Sequence, residues 1–157
     1  MSIEKNDISL EYNCEKNYFD LELVSDDSDL LAAVNLRTGI SISLFSDRRS
    51  LPEDPVPNAR GWAGDAIRPD DTDLIGSRLW LLQQEKTLDS NLPRIEQYCQ
   101  EALQWLLDEN VAESFTVDAE YISKPEGKVG ITIEITRLTG ESRRFEYVWE
   151  QKLIDGN

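Results

Sequence analysis

Histidine is absent from the 157-residue sequence. With it go the Ser-His-Asp and Cys-His nucleophile arrangements and the commonest protein ligand of zinc, copper and iron. Cysteine is nearly absent: Cys14 and Cys99 stand far apart in a chain large enough to bury a core without staples. Neither a disulfide framework nor a closed zinc site is expected, and both are read as free thiols in a reducing compartment. Positive charge is scarce, with 16 Lys and Arg against 31 Asp and Glu and a formal charge of -15. A field of that sign repels phosphate backbones and anionic lipid heads, so nucleic acid is not an expected partner. No apolar run approaches the roughly 20 residues of a membrane span. The N-terminal residues lack the basic segment and apolar core of a secretion signal, so a soluble protein that stays where it is made is expected. The eight glycines are scattered, without the GxGxxG or P-loop spacing that cradles phosphate.

What is present is enough to fold. Hydrophobic residues make up 39% of the chain, including four Trp, five Tyr and four Phe, so burial can offset the entropy that keeps polar chains open. The length predicts one domain over residues 1–157. Ile8 and Leu10, then Phe19, Leu21 and Leu23, alternate with polar residues and predict short N-terminal strands, with Leu30 and Leu31 opening another. Residues 36–45 fit two patterns: Ile40, Ile42 and Leu44 alternate, while Leu36, Ile40 and Leu44 also follow helical spacing. Gly39 weakens the helical alternative by about 1 kcal/mol relative to Ala.

Residues 46–73 are rich in Pro, Asp, Arg and Gly and predict a long loop. A short helix is expected through Leu74 or Ile75, Leu79 and Leu82. A longer one is expected over residues 91–109, capped by Ser90 or Asn91, with Pro93 in its first turn and Asn110 ending it. On that helix Ile95, Cys99, Ala102 and Leu106 share a face, flanked by Tyr98 and Trp105 on one edge and Leu103 on the other. Three alternating runs follow: Phe115 to Tyr121, Val129 to Ile135, and Phe145, Tyr147 and Trp149. Turns at Pro125-Glu126-Gly127 and Thr139-Gly140 join them into an antiparallel meander. The fold class is therefore α+β: an antiparallel C-terminal β-meander with helices packed on one face, plus short N-terminal strands.

Catalytic chemistry finds little support. The acidic clusters Asp26-Asp27-Ser28-Asp29 and Asp70-Asp71-Thr72-Asp73 lack the Gly and distal Glu of a calcium loop and read as solvated turns and caps. Carboxylate pairs suited to glycoside hydrolysis occur by abundance alone, so no acid and base can be singled out. No catalytic, cofactor or metal residue is assigned. What stands out is an arginine and tryptophan constellation: Asp47-Arg48-Arg49, Gly61-Trp62-Ala63-Gly64-Asp65 and Gly76-Ser77-Arg78-Leu79-Trp80. Arg and Trp are enriched at binding hot spots, Arg because its planar fork grips carboxylates. The competing interpretation pairs these arginines with the chain's own acids and places Trp62 and Trp80 in the core.

Four blocks in order, SLFSDRRS (residues 43–50), RGWAGDA (60–66), IGSRLWLL (75–82) and EALQWLLDENVAESFTVDAE (101–120), resemble the signature of a tail-protein family from Mu-like phages. Its members are small baseplate wedge subunits related to the lysozyme-like wedge and sheath-initiator proteins of contractile tails. Two positions depart from the family pattern: Ala63 stands where a second Trp is usual, and Asn110 near a usual Gly. The resemblance implies that residues 36–45 are helical. It also implies a mechanical role without cofactor or turnover, in which the subunit joins other baseplate wedge proteins and tail sheath or tube proteins. The implied location is the virion tail baseplate, after synthesis in the bacterial host cytoplasm.

Two contact surfaces follow from the residues. A strand through Arg143, Phe145, Tyr147 and Trp149 that ends the sheet leaves an edge another chain can extend, and Tyr98 and Trp105 offer a helix edge to a bundle. Asp47, Arg48, Arg49, Trp62, Asp65, Arg78 and Trp80 complete the candidate partner-binding set. A monomer is expected when partners are absent. The alternatives are a soluble acidic adaptor, whose binding would depend steeply on salt, and a cell-wall-degrading lysozyme-like tail protein.

Overall fold

The structure, a computed structural model, describes residues 7–13, 18–24, 28–54, 61, 75–83 and 91–150. The chain divides into two compact units after Ile42. In the first, β1 (Asp7–Asn13) and β2 (Tyr18–Val24) pair antiparallel. Ile8 stands opposite Leu23, Leu10 opposite Leu21 and Tyr12 opposite Phe19, so the alternating apolar positions match in register.

Leu30 and Leu31 do not open another strand; they lie in α1 (Ser28–Phe45). Leu30, Leu31, Ala32 and Ala33 are all strong helix formers, and that local preference outweighs a two-residue strand signal. Residues 36–45 are helical as well. Leu36, Ile40 and Leu44, at four-residue spacing, are buried, whereas Ile42, which the strand pattern needs, is only half-buried.

In the second unit, α2 (Leu79–Leu82), α3 (Leu92–Leu103) and α4 (Trp105–Asp108) precede β3 (Ser114–Ser123), β4 (Lys128–Thr136) and β5 (Ser142–Glu150). The short helix expected from Ile75 begins only at Leu79. Before it, Gly76 at φ 104° and a bridge between Asp47 and Ser77 hold the chain out of helical geometry. The single helix expected over 91–109 is two segments. At Gln104 the ladder tightens, with Leu107 N–H reaching back only three residues to the Gln104 carbonyl (3.0 Å).

The ends of this helical stretch differ from each other. Asn91 does not cap with its side chain: its backbone is already helical (φ -87°, ψ -23°), and Pro93 at the second helical position has no N–H to give. Ser90 lies outside the described residues. Asn110 does take the left-handed conformation (φ 56°). Its N–H donates to the Leu107 carbonyl (3.0 Å) and that of Val111 to the Leu106 carbonyl (2.9 Å), which completes a Schellman motif on an Asn.

The sheet is antiparallel with order β3-β4-β5. Val117 on β3, Val129, Ile131, Ile133 and Ile135 on β4, and Tyr147 and Trp149 on β5 are buried on one face. Asp118, Glu134, Arg144 and Glu146 lie on the other, which is exposed. Helix α3 packs along β3, and α2 along α3. Ile95, Cys99, Ala102, Leu103 and Leu106 are buried, so the wide apolar arc predicted for this segment is its core side.

Burial, and then the charge of Glu96, push the Cys99 thiol far above its usual range. In a Cys14→Ser background, the colorimetric thiol reagent DTNB is expected to leave native Cys99 unmodified and to titrate it after denaturation. The unfolded thiol ionises near its ordinary pKa of about 8.5 while the folded one keeps its proton. This contribution to stability is therefore complete below that pH and declines as pH rises above it. Rapid native modification would contradict the buried placement.

Candidate functional site

Three of the sequence blocks converge in the second unit. The segment 46–48 lies beside 76–78: Ser77 N–H donates to the Ser46 carbonyl (2.9 Å) and Arg48 N–H to the Ser77 carbonyl (2.9 Å). The Ser77 hydroxyl donates to the Leu44 carbonyl at the end of α1. Trp80, buried in α2, donates its indole N–H to the Arg48 carbonyl (2.8 Å). The Arg48 backbone is thus held on both sides.

Arg78 ties this pair of segments to α3. Nη1 donates to both carboxylate oxygens of Asp54 (3.0 and 3.2 Å), while Nε and Nη2 donate to Glu101 Oε2 (3.2 and 2.6 Å). The Arg78 and Asp54 side chains are each only 8% exposed and that of Glu101 34%. The guanidinium also lies over the Tyr98 ring, 4.6 Å from its centroid. Arg94 donates to the Tyr98 hydroxyl (3.2 Å). Burial acts to lower the Arg78 pKa, but the hydrogen bonds and charges of Glu101 and Asp54 outweigh it, and the net shift is upward. Asp54 is itself pre-set, accepting the Leu51 N–H (2.7 Å).

The two sheet edges are treated differently. Arg137 N–H donates to the Glu141 carbonyl at the β4–β5 turn (2.8 Å). Bonded and non-bonded pairs alternate along an antiparallel ladder, so Ile135–Arg143, Ile133–Phe145, Ile131–Tyr147 and Val129–Trp149 are bonded pairs. The same alternation points the N–H groups of Phe115, Val117 and Ala119 on β3 away from β4. There, Ala119 N–H donates to Glu96 Oε1 of α3 (3.0 Å), so the helix takes up one outward amide of this edge. On β5 the outward backbone groups are those of Arg144, Glu146 and Val148. Among the described residues, no segment pairs with this edge.

The candidate residues fall as follows. Asp47 and Arg49 are exposed, and Arg48 is half-buried. Arg78, Trp80, Tyr98, Tyr147 and Trp149 are buried within this chain. Trp105 is half-buried and donates its indole N–H to Ser43 Oγ (3.0 Å). Arg143 and Phe145 are half-buried on the inner sheet face, and Tyr147 meets Phe45 edge-on, 5.7 Å between centroids. Trp62 and Asp65 lie outside the described residues. Glu96, Asp54 and Glu101 were not singled out in the sequence; Glu101 opens one of the four blocks, whereas nothing local marks the other two.

The carboxylates of Asp54 and Glu101 serve as ion-pair partners of Arg78, an arrangement suited to bracing. Among the described residues no group of three or more Cys, Asp or Glu side chains could hold a metal ion, and no helix is long and apolar enough to cross a membrane.

The chain is 36% identical over 130 residues to the baseplate protein gp46 of Escherichia phage Mu, covering 80% of this chain and 86% of that protein. It is also 36% identical over 131 residues to the Mu-like prophage FluMu protein gp46 of Haemophilus influenzae, covering 82% and 89% respectively. The model of the phage protein GP46 family matches residues 36–142, the stretch that holds the C-terminal part of α1, the Arg78 brace and most of the sheet. The chain belongs to the phage protein GP46 family.

Proposed function

We propose that this chain is a non-enzymatic structural subunit of a phage tail baseplate, placed there as a wedge component. It docks neighbouring wedge proteins and offers an edge on which sheath subunits begin to assemble. Membership of the GP46 family and the baseplate name of the Mu relative support the coarse role. The observation that carries the finer one is the asymmetry of the sheet: Glu96 of α3 takes the outward Ala119 amide of β3, while among the described residues no segment pairs with the outward N–H and C=O groups of β5.

The test is co-expression with the adjacent tail proteins of the same operon, followed by size-exclusion chromatography and mass determination. A stable hetero-complex is expected. Glu146→Pro then removes one outward donor at an edge position where Pro is tolerated. It is expected to keep the fold, checked by circular dichroism, and to weaken the complex by about tenfold or more, the worth of a hydrogen-bonded strand position. Val148→Pro is the companion at the next outward position. A complex indifferent to both variants but dissolved steeply by salt would favour the acidic adaptor instead, and a lone monomer under co-expression would remove the wedge assignment.

A further inference from the structure

The open edge carries more information than its hydrogen-bonding groups. On the outer face, Arg144 and Glu146 stand two residues apart with side chains 59% and 69% exposed, and they bridge each other (3.0 Å). Val148 follows on the same face, beside the flat position of Gly130 that it faces across the ladder. On the inner face Phe145 stays half-exposed, although Tyr147 and Trp149 beside it are buried. The edge therefore presents a fixed order: outward, positive, negative, apolar; inward, an incompletely covered aromatic.

We infer that β5 accepts, in antiparallel register, a strand of a partner protein whose five central residues read from the N-terminus apolar, apolar, basic, apolar, acidic. This rests on the strand-addition function proposed above and specifies its partner. Residues opposite outward-pointing Arg144, Glu146 and Val148 carry their side chains on the outer face, and those opposite Phe145 and Tyr147 on the inner face. An acid then stands opposite Arg144, a base opposite Glu146 and an apolar residue opposite Val148, while the intervening apolar residues extend the core and cover Phe145. Antiparallel addition continues the pattern of the whole sheet. Opposite charges directly across a ladder attract and like charges repel, so the Arg144 and Glu146 pair sets the register and rejects a strand slipped by two residues. A second copy of β5 is a poor occupant: one register places Glu146 opposite itself, and the register that sets Arg144 opposite Glu146 brings Arg143 opposite Tyr147 and Ser142 opposite Val148, where the order calls for apolar residues.

The probes are two synthetic nonapeptides built on this order, one matched and one with its basic and acidic residues exchanged, titrated against the full chain. The amide resonances of Arg144, Glu146 and Val148 report binding. The matched peptide is expected to bind about tenfold more tightly than its exchanged twin, the difference between two attractive and two repulsive cross-strand pairs. The double variant Arg144→Glu/Glu146→Arg, both sites being exposed, is expected to fold normally and to invert the preference. Equal affinity for both peptides, binding that leaves those three amides unchanged, or no binding at millimolar peptide would overturn the inference. If the co-expressed complex forms, is broken by Glu146→Pro and yet ignores the charge exchange, the strand-addition function stands and only the charge order falls.

Discussion

Replacing Arg78 with methionine is expected to destabilise the protein by about 3–5 kcal/mol, the usual penalty for breaking a buried ion pair from one side. Arg78 is 7% exposed and satisfies two carboxylates at once. Methionine fills much of the same volume but leaves Asp54, whose side chain is 8% exposed, as a buried charge without a counter-ion. Urea unfolding of the purified chain measures the effect. Two further variants separate charge from shape. Arg78→Lys is expected to recover only a minor part of the loss, because one ammonium cannot reproduce the fork that meets Asp54 through Nη1, Glu101 through Nε and Nη2, and the Tyr98 ring through its plane. Adding Asp54→Asn to Arg78→Met is expected to restore part of the loss, since the uncompensated charge is removed. A Met variant within about 1 kcal/mol of the parent would mean that the brace contributes no more than an exposed pair.

Much of this fold is legible in the chain because its signals are local. Strict alternation in Val129, Ile131, Ile133 and Ile135 specifies a strand with one buried face, and all four residues are buried. The turn residues at 125–127 and 139–140 specify the meander, and Asn110 specifies the end of a helix. The misreadings arise where a short signal competes with a longer one. Leu30 and Leu31 suggest a strand in isolation, yet they belong to an 18-residue helix. The start of α2 is moved to Leu79 by a bridge to Asp47, thirty residues earlier in the chain.

The site shows the limit more sharply. Arg78 and Trp80 stand out by residue type, but their partners are long-range choices. Nothing local selects Glu101 and Asp54 among 31 acidic residues, or the Arg48 carbonyl for the Trp80 indole. The same holds for the sheet edges. That β5 lies at the edge of the β3-β4-β5 order follows from the succession of alternating runs, whereas the cover on the Ala119 amide of β3 depends on one carboxylate, Glu96, 23 residues away.

Gly76→Ala is expected to destabilise the second unit by about 3 kcal/mol or more, from backbone strain and steric overlap together. Gly76 adopts φ 104°, a region that L-residues rarely enter, and a Cβ there would run into the Ser46 carbonyl and stand 3.0 Å from the Arg48 nitrogen. Those atoms belong to the hydrogen bonds that join segment 46–48 to 76–78, so relieving the overlap means separating the two segments. Gly140 supplies the control. Its φ is also positive, at 85°, but nothing lies within 4 Å of a Cβ there. Gly140→Ala should therefore show the conformational term alone, about 1–2 kcal/mol. The difference between the two variants in urea unfolding isolates the collision. Hydrogen exchange at the Arg48 and Ser77 amides is expected to accelerate in Gly76→Ala and not in Gly140→Ala. Equal losses in the two variants would show that segment 46–48 can yield without loosening the Arg78 brace, and that the close approach at Gly76 is not what fixes this part of the fold.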